Sequence, residues 1–145
     1  MPCEMDWLIN DRLVFQRCWG ELTLDELRST NHEFVDCIHA GLPLVHTIID
    51  LTEVTDFPKS LTEINRAFAR DEETLQRLGW TLVISTHPIL RFFASIVTSL
   101  WNKARFRIFA TNDEALNFLA ELDATLDPAQ VADARTKMTA LASDE

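Results

Sequence analysis

Short apolar runs alternate with stretches of helical periodicity along this chain, and that alternation constrains its fold more than any other feature. Leu44–Leu51 (LVHTIIDL), Trp80–Ile84 (WTLVI) and Phe106–Ala110 (FRIFA) have the length of strands. The first two are nearly continuous in apolar residues, as in strands covered on both faces. Phe106-Arg107-Ile108 alternates, which places the last strand nearer an edge. Upstream, Trp7-Leu8-Ile9, Asn10-Asp11 and Arg12–Phe15 read as a hairpin with a two-residue turn. Its second strand runs to Trp19 and ends at Gly20.

The helical stretches share a way of starting. Thr23-x-x-Glu26, Ser60-x-x-Glu63, Thr111-x-x-Glu114 and Asp127-Pro128-x-Gln130 each offer a side-chain oxygen to the free N–H groups of a first turn. Ser85-Thr86-His87-Pro88 is a fifth start, with Pro88 at the first helical position. Leu24, Leu27, Phe34, Val35 and Ile38 then recur at helical spacing up to Gly41, and Leu61, Ile64, Phe68, Leu75 and Leu78 up to Gly79. A third helix runs from Ile89 to Asn102, Leu116, Leu119 and Leu122 mark a fourth, and Val131, Ala134, Met138 and Leu141 mark a last one. The order ββαβαβαβα plus a final helix predicts an α/β fold. Its sheet is mixed, largely parallel and five-stranded, with an N-terminal hairpin and covering helices joined by right-handed crossovers. At 145 residues the expectation is one domain over 1–126 with a C-terminal helical appendage over 127–145.

Net charge is −10, which argues against a nucleic-acid partner. The charge is unevenly spread. Residues 1–73 carry six basic and 15 acidic side chains and residues 113–145 two and eight, whereas 74–112 carry Arg77, Arg91, Lys103, Arg105 and Arg107 and no acid. One explanation pairs this basic segment with acidic faces of the same chain or of a symmetric partner. The other makes it a site for an anionic ligand or acidic partner. Ser85, Thr86 and His87 lie at the carboxyl end of a strand and open a helix, where free N–H groups face an anion, and Arg91 follows one turn later. The helix itself confines its polar residues to Arg91, Ser95, Thr98, Ser99 and Asn102, so its apolar sector is wider than one sheet face requires. Burial against a neighbouring helix, an oligomer interface (a homodimer in the simplest case) and the wall of an apolar pocket all account for that width.

Several chemistries find no support. The first nine residues lack the basic region of a signal peptide, and Phe92–Trp101 is too short to span a bilayer, so a soluble, cytoplasmic protein without a transmembrane segment is expected. An odd number of cysteines, Cys3, Cys18 and Cys37, then reads as free thiols. His32, His39 and His46 are spaced by sevens, too far apart to share a metal, and are expected to be solvated or capping. Cys37 and His39 point to different sides of a helix. Gly20, Gly41 and Gly79 are isolated, which excludes a glycine-rich phosphate loop, and Asp71-Glu72-Glu73 reads as a solvated helix face. No catalytic residue, metal site or cofactor is expected.

The segment His46–Ile64, HTIIDLTEVTDFPKSLTEI, resembles the hallmark of STAS domains, the SpoIIAA-like fold of bacterial anti-sigma-factor antagonists. In that family a buried strand ends in an Asp-Leu-Ser/Thr-x-Val unit, matched by Asp50-Leu51-Thr52-Glu53-Val54. The likeness to STAS/SEC14-type proteins extends over residues 5–122, through Gly20-x-Leu22-Thr23, Leu78-Gly79-Trp80, and Arg105–Phe109 followed by Glu114-Ala115. It implies a SpoIIAA-like α/β fold and a non-enzymatic regulatory or protein-interaction domain. Phosphorylatable members carry Asp-Ser-Ser-Gly at the helix entrance. Pro58-Lys59-Ser60-Leu61 stands there instead, with Lys59 at the acceptor position and Ser60 suited to a helix N-cap. The expected binding surface comprises Lys59, Ser60, Ser85, Thr86, His87, Arg91, Arg105 and Arg107. SEC14-type likeness implies an alternative, a carrier of a small lipid-like ligand with its anionic head near Arg91, Arg105 and Arg107.

Overall fold

The computed structural model describes residues 3–67, 72–101 and 105–143, with backbone alone at 97–101 and 142–143. In chain order the elements are β1 (Cys3–Ile9), β2 (Leu13–Glu21), α1 (Leu24–Ala40), β3 (Val45–Asp56), α2 (Leu61–Ala67), α3 (Glu72–Arg77), β4 (Leu78–Ile84), α4 (Pro88–Trp101), β5 (Phe106–Phe109), α5 (Asn112–Leu122) and α6 (Pro128–Ser143). The strands form one sheet in the order β1-β2-β3-β4-β5. The β1–β2 pair is antiparallel and every other pair is parallel, so the α/β architecture read from the sequence holds. β5 lies at the edge, as its alternation predicted.

Capping works as the motifs predicted. Thr23 and Glu26 form a reciprocal capping box, and Ser60 and Thr111 accept the Glu63 and Glu114 N–H groups. Asp127 accepts the Ala129 N–H at 2.9 Å, and His87 Nδ1 accepts the Leu90 N–H at the start of α4. The inner residues sort onto two faces. On one, Leu13, Phe15, Ile48, Leu82 and Ile84 pack against Ala115, Leu116 and Leu119 of α5. Val131, Ala134 and Met138 of α6, within the segment expected to be an appendage, are buried in the same cluster. On the other face, Val14, Val45 and Leu78 meet Phe34 and Ile38 of α1, and Cys18 and Leu22 meet Leu27 and Ala67. Among the described residues no helix is long and apolar enough to cross a membrane.

Four expectations need correction. The stretch read as one helix up to Gly79 contains two, α2 and α3, and Leu78-Gly79 opens β4. Gly79 does not end a helix; it sits against the His46 ring, where an added Cβ would come within 2.9 Å of Cε1 and closer still to Nδ1. His46 is itself buried rather than solvated. The hairpin loop has three residues, because Ile9 pairs with Leu13 and Asp11 adopts a left-handed φ of 67°. Finally, Cys3 and Cys18 are not free thiols: they lie opposite one another in the β1–β2 register and form a disulfide. A bulge between Trp7 and Ile9 takes up the extra loop residue, so the far end of the hairpin keeps the register of a two-residue turn.

In oxidising buffer, alkylation of the unfolded, unreduced protein is expected to label Cys37 alone, the one free thiol described. Removing the cross-link by Cys3→Ser should cost about 3 kcal/mol in denaturant unfolding, given the sequence separation of 15. Three labelled cysteines would mean the bridge does not form.

Candidate functional site

The described cavity of greatest interest opens where helices and sheet fail to close over one another. It lies between α1, α4, the segment following β3 and the face of β2, β3 and β4, with a volume of about 120 Å³. Leu22, Leu27, Phe34, Ile49, Leu51, Ile64, Val83 and Leu90 make most of its wall. Strand pleating supplies the inward residues: Gln16 and Cys18 on β2, Ile49 and Leu51 on β3, Thr81 and Val83 on β4 all share one face. Helical spacing brings Leu90, Phe93 and Ala94 of α4 to the opposite side.

The segment after β3 forms the rim. Phe57 meets Phe93 edge-on with ring centroids 5.3 Å apart and meets the His87 ring at 6.5 Å. Lys59 is folded back on its own loop, donating to Asp56 Oδ1 and the Phe57 carbonyl, both at 2.8 Å, over the Phe57 ring. The hydrogen bond from Lys59, with that from the Phe57 N–H, holds the Asp56 carboxyl below its usual range. Among the described residues four polar side chains, Gln16, Thr30, Asn31 and Thr81, interrupt the apolar wall, and no charged side chain lines it. The Thr81 hydroxyl is buried without a hydrogen-bond partner among the described residues.

The expected binding residues divide into groups. Lys59, Ser60, Ser85, Thr86 and His87 gather at the carboxyl ends of β3 and β4, joined by the Phe57–His87 contact. The hydroxyl of buried Ser85 accepts the His87 N–H, so it shapes the turn into α4. Arg91 is on the second turn of α4, its Nε buried and unpartnered among the described residues. Arg105 lies at the opposite end of β4, donating to the Leu78 carbonyl at 3.3 Å, and Arg107 projects from β5 over the Phe118 ring of α5. The structure therefore does not bring Arg91, Arg105 and Arg107 together around one anionic head, and none of the three lines the cavity. Thr98, Ser99 and Asn102 of the polar stripe, with Lys103 and Asp71, lie outside the residues whose side chains are described. Asp50 of the Asp-Leu-Thr unit is buried on the other face, accepting from Thr52 and from Asn112 of α5.

Sequence reasoning missed the polar members of the wall, although a signal existed. Thr30 and Asn31 occupy the inward positions of α1 between Leu27 and Phe34, where helical spacing calls for apolar side chains. Cys37 and His39 are each accounted for by their local surroundings. Burial, then Asp36 and Glu33, push the Cys37 thiol upward, away from reactive thiolate, while His39 is hydrogen-bonded to Thr74. No cluster of metal-ligating side chains occurs among the described residues.

A buried polar network ties the amino ends of β3 and β4 to the loop after α5. The Trp80 N–H donates to His46 Nδ1 at 3.0 Å, leaving Nε2 to donate to Asp123 Oδ2 at 2.8 Å. Arg12 donates to the same oxygen at 2.9 Å and to Thr125. Desolvation lowers the His46 pKa below 6.5, outweighing the pull of Asp123, so the ring is neutral. Desolvation raises the Asp123 carboxyl, but hydrogen bonds from Thr125 and His46 prevail and hold it at about 2. Stability is expected to be full above pH 6.5 and to fall below it, as the unfolded chain takes a proton the buried ring resists. It should fall again between 3.8 and about 2 as Asp123 protonates. Thermal melts from neutral to acid pH check this; the upper step should shrink in His46→Gln, and an unchanged step would assign it to another group.

Neither a family model nor a curated protein sequence matches the chain. Solved structures do. An uncharacterised protein of the DUF3478 family from Shewanella loihica PV-4, with a SpoIIAA-like fold, superposes at a TM-score of 0.57 with 14% identity, over 81% of this chain and 91% of that one. The anti-sigma factor antagonist SpoIIAA in its unphosphorylated form superposes at 0.55 with 15% identity, over 82% and 96%. With its strand order and hairpin, the chain has the SpoIIAA-like, or STAS-like, fold.

Proposed function

We propose that this protein is a non-enzymatic binding domain for a small apolar molecule, held between α1, α4 and the sheet. The cavity of about 120 Å³ with an apolar wall carries this reading. An engineered apolar cavity of about 150 Å³ in another protein stays dry and binds benzene, so one ring or a short branched chain is the matching scale. Burying such a group contributes about 1.5–3 kcal/mol, which corresponds to weak binding with a Kd of about 6–80 mM when the site is preformed. The Phe57–Phe93 contact at the rim is where a ligand passes. Benzene, added to the full chain, is expected to raise the melting temperature saturably and to shift amide resonances of Leu90, Ala94 and Ile49. Ala94→Phe, which fills the space from α4, should abolish both effects while the protein stays folded. Absence of any shift in the unmodified protein sinks the proposal.

A second reading follows from the outer side of the same helix. Ile89 and Phe92 are 52% and 60% exposed, beside the Lys59 loop, and the fold is shared with an anti-sigma factor antagonist. In this reading the chain is a regulatory interaction domain without a phosphoacceptor, since Lys59 stands at the acceptor position and Ser60 caps α2. The apolar edge of α4 then serves a homodimer. Wild-type protein should sediment as a dimer and Phe92→Asp as a monomer; identical sedimentation of the two removes this reading.

A further inference from the structure

We infer that the cavity receives a neutral molecule bearing one hydrogen-bonding group on a small apolar body, and that the Thr81 hydroxyl is its partner. The inference rests on the cavity reading above and adds the chemistry of the occupant. Thr81 is 1% exposed and lines the cavity from β4. Its Oγ1 has no hydrogen-bond partner among the described residues. Thr47 of β3 is opposite it in register and fully buried, yet its hydroxyl is also unpartnered, so the two do not satisfy one another. A buried hydroxyl left without a partner is destabilising, whereas valine has the same shape, suits a strand equally well and carries no such penalty. The polar choice at position 81 gains an explanation if a bound molecule supplies the missing partner. Rotation about the Cα–Cβ bond, between staggered wells, is the adjustment that presents Oγ1 to it.

Neutrality follows from the wall. Its polar members are Gln16, Thr30, Asn31 and Thr81, and among the described residues no charged side chain belongs to it. A carboxylate or phosphate inside would lose its hydration without meeting a counter-charge. Lys59 is already engaged by Asp56 and the Phe57 carbonyl at the rim.

Benzene, phenol and benzoate share one ring and differ in the group tested. Titrated by NMR into the full chain, phenol should bind about 5- to 10-fold more tightly than benzene, and benzoate most weakly. Thr81→Val should bring phenol to parity with benzene, leave benzene binding unchanged, and melt no lower than wild type without ligand. Thr81→Ser should retain the preference for phenol. Equal loss of both ligands in Thr81→Val, or an undiminished phenol preference in it, overturns the role of Thr81 and leaves the cavity reading standing. Tightest binding of benzoate overturns neutrality. Failure of all three ligands to bind removes the cavity reading and this inference with it.

Discussion

Crossovers that share one side of the sheet govern this molecule. β2, β3, β4 and β5 are adjacent in chain order and parallel, so each connection crosses on the same side of the sheet. The crossover helices are therefore crowded onto one face, and the other is left for α5 and α6. Five strands spaced about 4.8 Å apart span about 19 Å, whereas the helices of three crossovers need about 8–10 Å each. The crossover helices cannot all lie flush against so narrow a sheet. The crowding meets its limit where α1 and α4 flank the connection after β3, and the cavity lies there. The candidate site is thus a consequence of topology, finished by the choice of side chains along its wall.

The parts of the fold most legible in the sequence are those set by local chemistry. Thr23, Ser60, Thr111 and Asp127 begin helices because their oxygens satisfy N–H groups within three residues, a requirement independent of everything distant. Gly79 shows the converse. After a run of helical spacing a glycine reads as a helix end, but what requires it is the His46 ring, 33 positions earlier in the chain. Nothing within a local window reports that approach. The disulfide was legible and overlooked: a two-residue turn at Asn10-Asp11 already sets Cys3 opposite Cys18. An odd cysteine count points instead to free thiols. Register is the stronger argument, because a strand pair fixes which side chains face each other while a count only describes an average.

The site itself divides along the same line. Gln16, Thr30, Asn31 and Thr81 stand at inward positions of elements whose boundaries were largely readable, so polar intrusions into a core face could have been marked in advance. The empty volume they surround could not. It is a difference between the space enclosed by the backbone and the summed side-chain volumes, and one methylene more or less on either side changes it. Phe57 and Phe93 meet across 36 positions of chain, a contact with no periodic signature.

Two cations of the carboxylate-free segment, Arg77 and Arg105, work at the opposite end of the sheet. Arg77 donates to the carbonyls of Ile38, His39 and Gly41, at and beyond the end of α1, and Arg105 donates to that of Leu78. The last carbonyls of a helix lack intrahelical donors and carry the negative end of its dipole, so a guanidinium there replaces both a missing hydrogen bond and a missing counter-charge. A carboxylate nearby would compete for the same donors, a physical reason for acids to be scarce where these arginines work. Their partners are backbone oxygens, so no pairing of the segment with acidic faces is needed to account for Arg77 and Arg105. Together with His46, Asp123 and Arg12 they bind the amino ends of β3 and β4 to α1 and to the loop after α5. Fixing one end of the sheet by hydrogen bonds lets the other carry an incompletely packed wall, because the strands on which Thr81 and Ile49 sit are already held in register from below.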